Sequence, residues 1–147
     1  MPFVRITAIL IAVLLLSPLH ATPLFDDTAV IDVTLEGPLG DLMNDTDSRE
    51  QLPFVLRAGS TEHAIKVRLR GKSRLRVCDF LPMRLNFKKS EVEGTLFEGQ
   101  DKLKLVVPCR TSDRAEKNLI EEYAVYRIFN LLTPASYRVR LLRITFR

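Results

Sequence analysis

Residues 66–109 read KVRLRGKSRLRVCDFLPMRLNFKKSEVEGTLFEGQDKLKLVVPC, and their pattern decides the fold. Lys66, Arg68 and Arg70 alternate with Ile65, Val67 and Leu69. Arg84, Asn86 and Lys88 alternate in the same way with Met83, Leu85 and Phe87, and Lys102 and Lys104 with Leu103, Leu105 and Val107. Successive side chains on a strand point to opposite faces, so each run presents one apolar and one cationic face. If the three strands share a sheet, the apolar sides build a core and the other side carries a concentrated positive field. That field is a candidate site for an anionic ligand, against the alternative of plain solvated lysines and arginines.

The flanking sequence supplies the rest of an α+β domain. Val30 to Leu35 alternates as a strand until Gly37-Pro38, and Leu39 to Asp45 fits one or two helical turns. Phe54 to Arg57 and Ala64 to Leu69 read as a hairpin through Gly59-Ser60. Gly71-Lys72-Ser73 ends the first basic strand, and Leu96 and Phe97 anchor the loop between Gly94 and Gly99. A helix is expected over Arg114 to Leu132, capped by Ser112 or Asp113 and stopped by Pro134. Its Leu119, Ile120, Tyr123, Ala124, Ile128, Leu131 and Leu132 form an apolar surface broad enough to pack on a sheet. The β-branched content of Ser136 to Arg147 argues for a last strand. The expected fold is therefore α+β: an antiparallel sheet of about five strands, with the long helix on its apolar face against Leu85, Phe87 and Leu105.

The 147 residues suit one domain, expected over 22–147. Ahead of it, Arg5, the apolar run from Ile6 to Leu16, Pro18 and Leu19-His20-Ala21 read as a cleaved export signal over 1–21. The run is too short to span a bilayer stably. The reading places the protein in the periplasm or outside the cell. Because the chain stops inside an apolar strand, it is expected to be the N-terminal part of a longer protein.

Removing Arg5 takes the formal charge from +4 to +3 and leaves a marked asymmetry. Asp26 to Glu50 holds eight carboxylates against Arg49, whereas Lys66 to Arg110 holds twelve Lys/Arg against five Asp/Glu. Either the acidic segment lies near the basic one, or each faces a different partner. Cys78 and Cys109 are the only cysteines, and export would let them form a disulfide; two buried free thiols are the alternative. No metal site is expected, since His63 is the only histidine after residue 21 and no CxxC or HxxxH occurs. GxxxxGK[ST], GxGxxG and GxSxG are all absent. Nucleic acid is disfavoured, because no aromatic residues interleave with the basic ones.

Several segments, in order, resemble a known family. Arg70-Gly71-Lys72-Ser73, Pro82-Met83-Arg84-Leu85-Asn86-Phe87-Lys88, Leu96-Phe97-Glu98-Gly99 before Lys102 to Val106, and Asn118 to Tyr126 look like the N-terminal half of the spore coat protein H kinase-like family. More closely, they resemble a group of exported bacterial proteins. The resemblance covers about Val67 to Ile144 and implies a protein-kinase N-lobe that covers a nucleotide. On that implication Arg84, Lys88 and Lys104 are the phosphate-binding candidates, oriented by Glu121 or Glu122, with ATP and Mg2+ as the cofactors. Lys72 and Glu122 depart from the asparagines of the family pattern. No acid pair for catalysis follows the helix, so no catalytic residue is assigned. The second expectation is a non-catalytic envelope module that binds an anionic partner through the basic sheet face.

Overall fold

A computed structural model describes residues 23–147. The export signal read over 1–21 lies outside the described residues. The chain runs β1 (Ile31–Glu36), α1 (Leu39–Asn44), β2 (Leu52–Ala58), β3 (Thr61–Leu69), the single turn α2 (Arg74–Val77), β4 (Met83–Asn86), a 3-10 turn (Lys89–Glu91), β5 (Lys102–Leu105), α3 (Asp113–Leu132) and β6 (Leu142–Phe146). All six strands form one sheet in the order β5-β4-β3-β2-β1-β6.

The α+β class and the long helix are as expected, while the sheet differs in two respects. It has six strands rather than about five, and it is mixed: β6 lies parallel to β1, with Val33 opposite Ile144 and Leu35 opposite Phe146. The β-branched content of Ser136 to Arg147 pointed to a strand without showing its direction. A parallel partner arises here because the chain passes through α3 before returning beside β1. The four remaining neighbour pairs are antiparallel.

The period-two patterns sort the faces as residue chemistry requires. Val33, Leu35, Phe54, Leu56, Ile65, Val67, Leu69, Met83, Leu85 and Leu105 are all buried on one side. The helix does not cover them. No residue of α3 is buried, and none belongs to the apolar cluster. Loops and short helices fill that role first: Leu42 of α1, with Leu24, Leu81, Val92, Phe97 and Val107, completes the core. Phe97 stacks on Phe87 at 5.2 Å between centroids and takes an edge contact with His63 at 5.3 Å. With Phe87 already covered by the 89–101 loop, the expected contact of the helix with Leu85, Phe87 and Leu105 is displaced. A buried cluster of this kind is close-packed, leaving no room for a second cover.

Gly37 marks a tight approach at the end of β1, where a Cβ would stand 2.5 Å from the Phe54 ring. Cys78 and Cys109 lie at disulfide distance, 4.6 Å between Cα atoms, and join the end of α2 to the exit of β5.

Candidate functional site

The registers put the cations on a common face. Arg68 stands opposite Arg84, and Arg84 opposite Lys104, so three positive side chains form one row across β3, β4 and β5. The neighbouring row carries Lys66, Asn86 and Lys102. Directly opposed residues on adjacent strands have Cβ atoms about 5 Å apart, and like charges there are destabilising. A row of this kind therefore costs stability unless something negative sits on it.

No carboxylate of the described residues does. Arg68, Arg84, Lys104, Lys66 and Arg70 form no ion pair, whereas Lys102 reaches Asp101 at 3.2 Å. The acidic segment is engaged elsewhere. Asp26 pairs with Arg138 at 2.6 Å, Asp27 with Arg140 at 2.9 Å and Asp32 with Arg143 at 2.9 Å, while Glu36 pairs with Arg57. Of the two arrangements that the charge asymmetry left open, neither is quite realised. Asp26, Asp27, Asp32 and Glu36 meet the C-terminal arginines and Arg57, and none of the segment's acids pairs with the central cations.

The other half of the same face shows the contrast. Arg57 is held between Glu36 and Glu62, and both carboxylates raise its pKa further above the usual guanidinium value, Glu36 first. Asp32, Thr34, Arg57, Arg143 and Thr145 line a shallow depression of about 390 Å³ there. Its two arginines are already neutralised.

Beside the cationic row stands Tyr137, which the sequence reading did not single out. The Lys104 ammonium lies 3.8 Å from its ring centroid, and Tyr126 of α3 meets the same ring edge-on at 6.2 Å. The adjacent Lys104 ammonium lowers the phenol's pKa, and the charge of Arg70 adds a smaller pull. Asn130 fixes the segment, donating to the Ser136 hydroxyl at 2.6 Å and to the Tyr137 carbonyl at 2.9 Å. Asn86 donates to Gln51 at 3.1 Å and leaves its own carbonyl oxygen buried without a donor.

The five candidate binding residues divide. Arg84 and Lys104 are register partners in the row. Lys88 lies beyond β4 and pairs locally with Glu91 at 2.7 Å, a donation that raises its pKa. Glu122 is half-buried and reaches Arg74 of α2 at 3.6 Å, while Glu121 is exposed. Neither glutamate pairs with Arg84, Lys88 or Lys104. The arrangement can thus take phosphate or carboxylate oxygens on Arg68, Arg84 and Lys104, and no cluster of metal-ligating side chains occurs among the described residues. No helix of the described residues is long and apolar enough to cross a membrane. Compared with family models, curated proteins and solved structures, the chain finds no match.

Proposed function

We propose that this chain is a non-catalytic module that binds an anionic group on the β3–β4–β5 half of its polar face. One observation carries the reading: Arg68, Arg84 and Lys104 stand side by side with no counter-ion among the described residues, although the same chain neutralises Arg57 and Arg143 one sheet-half away. Opposed like charges weaken a sheet, and an anion laid across them converts that repulsion into attraction. Two guanidinium groups and an ammonium offer both forked and point-charge donors, which suits phosphate, sulfate or carboxylate oxygens.

A nucleotide-binding lobe of the spore coat protein H kinase-like type is the narrower form of this proposal. The row would take nucleotide phosphates, and a helix carboxylate would have to swing from Arg74 to orient a strand cation. Calorimetry separates the forms. Pyrophosphate is titrated at low salt, then ATP with Mg2+, then each against Arg84→Gln/Lys104→Gln. Pyrophosphate binding that weakens steeply with added salt, and is lost in the double variant, is the expected result. ATP·Mg2+ bound much more tightly than pyrophosphate favours the nucleotide form. Equal binding by wild type and double variant removes the site.

A further inference from the structure

Of the three cations in the row, Lys104 has the most freedom to lose. Arg68 and Arg84 are half-buried on β3 and β4, which have a strand on either side, whereas Lys104 is exposed on β5, at the edge of the sheet. Its one register partner, Arg84, carries the same charge and offers it no attraction. A lysine stem in such a place samples many rotamers, and an anion that uses its ammonium must first arrest them.

Tyr137 already restrains it. The Lys104 ammonium stands 3.8 Å from the ring centroid, where the electron-rich face attracts a cation. The ring is in turn seated by the half-buried side of α3, from which Tyr126 meets it edge-on at 6.2 Å. Asn130 holds the turn that carries it, donating to the Ser136 hydroxyl at 2.6 Å and to the Tyr137 carbonyl at 2.9 Å, and the Ser136 hydroxyl donates to the Thr133 carbonyl at 3.3 Å. Helix, turn, ring and ammonium thus form one connected series from α3 to β5. A lysine ammonium has three N–H donors, so a contact with the ring leaves others free for an anion's oxygens. The approach is open, since Lys104 is exposed and Tyr137 is 62% exposed.

We propose that Tyr137 is a positioning residue of the anion site, its ring holding Lys104 in the row before the anion arrives. The ring touches the lysine and acts on the anion only through it. Ordering a long side chain in advance removes part of the entropy that binding would otherwise lose. The proposal rests on the anion-binding reading of the cationic row, and it gives α3 a part in that site through Tyr126 and Asn130.

The test is pyrophosphate calorimetry at low salt on the full chain, with Tyr137→Leu, Tyr137→Phe, Lys104→Gln and Tyr137→Leu/Lys104→Gln. Tyr137→Leu is expected to weaken binding roughly two- to tenfold, the cost of arresting one long side chain. Tyr137→Phe, which keeps the ring, restores the affinity. On the Lys104→Gln background, Tyr137→Leu has no further effect, because the ring then has no ammonium to hold. A second readout needs no variant: the ring current of Tyr137 shifts the Lys104 ε-methylene protons upfield, and the shift persists when pyrophosphate saturates the protein. Unchanged or tighter binding by Tyr137→Leu overturns the proposal and leaves the anion site standing. So does an upfield shift that vanishes at saturation, which would make ring and anion competitors for Lys104. Equal losses in Tyr137→Phe and Tyr137→Leu would assign the effect to the hydroxyl, and a loss that persists without Lys104 would assign it to another contact; either overturns the proposal. Wild-type protein that binds no pyrophosphate removes the anion site and this inference together.

Discussion

On the β2–β1–β6 half of the polar face, every arginine of the strands has a carboxylate, Arg57 between Glu36 and Glu62 and Arg143 beside Asp32. On the β3–β4–β5 half, Arg68, Arg84 and Lys104 stand in register with none. The alternation of side chains is the same in both halves, although β6 joins β1 in parallel and the β3–β4–β5 half is antiparallel throughout. The supply of counter-ions differs: four acids of the N-terminal segment, Asp26, Asp27, Asp32 and Glu36, pair with Arg138, Arg140, Arg143 and Arg57, and none of the segment's acids pairs with the β3–β4–β5 row. The same chain neutralises the arginines of one half and leaves one row of the other bare, and that contrast is what the anion-binding proposal rests on.

The two halves are also fastened differently, and the largest expected effect probes that. The Cys78–Cys109 pair, 31 residues apart, brackets β4 and β5. On the chain-entropy model, Cys78→Ser/Cys109→Ser removes roughly 3–4 kcal/mol. That corresponds to about 10 °C in the thermal midpoint for a domain of this size. Differential scanning calorimetry of the double variant checks it, and an unchanged midpoint means that the bond is not what holds the bare half.

The paired half depends on Arg140 instead. Its side chain is only 6% exposed and donates to the carbonyls of Ala29 and Leu24 as well as to Asp27, tying the N-terminal segment to the approach of β6. Arg140→Gln leaves those carbonyls, of which Leu24's is the more buried, without their charged donor, at a cost of about 2 kcal/mol. Urea unfolding measures it, and a loss much below 1 kcal/mol would show that water replaces the donor freely.

Charge removal should then act with opposite signs on the two halves. Cross-strand charge pairs contribute roughly 0.2–1 kcal/mol in either direction. Arg57→Gln leaves Glu36 and Glu62 without the cation between them and lowers the thermal midpoint. Arg84→Gln relieves two opposed cations and raises it in ligand-free protein. If both substitutions destabilise alike, the bare row carries no repulsion and the contrast between the halves disappears.

The finest effect is at Tyr137. Its phenol ionises below the ordinary tyrosine value because Lys104, and less so Arg70, favours the phenolate. For an acid whose folded pKa is depressed, the extra stability is fully present above the unfolded pKa near 10 and is lost as pH falls through the folded value. The stability difference between wild type and Lys104→Gln should therefore widen across that alkaline window and stay constant below it. Ultraviolet titration should show one phenol ionising ahead of the others, and Lys104→Gln should bring it back among them.

Much of the fold was legible in the sequence. The alternation of Lys66 to Arg70, Arg84 to Lys88 and Lys102 to Val107 gave the strands and the shared cationic face, because a period of two has only one geometric solution. The cap was legible to within two residues, Ser112 or Asp113, and it is Ser112 whose side chain accepts from the Ala115 amide at 3.3 Å. What covers the core was not legible. Phe97 and Val92 in the 89–101 loop compete with α3 for the same apolar face, and hydrophobicity alone does not rank a loop below a helix. The parallel return of β6 escaped because strand patterns carry no direction. At the site, Arg84 and Lys104 were legible as members of the cationic face but not as neighbours, while Tyr137 was missed because its contact with Lys104 joins residues far apart along the chain. Arg68 lay in the alternating run, but only the register showed that it completes the row.

The bare row is tested most directly by mapping where an anion lands. Backbone amide shifts followed by nuclear magnetic resonance during a pyrophosphate titration should concentrate at residues 66–70, 83–86 and 102–105 and leave the surroundings of Arg57 and Arg143 undisturbed. Shifts spread evenly over both halves, or gathered in the depression beside Arg57 and Arg143, would contradict the account.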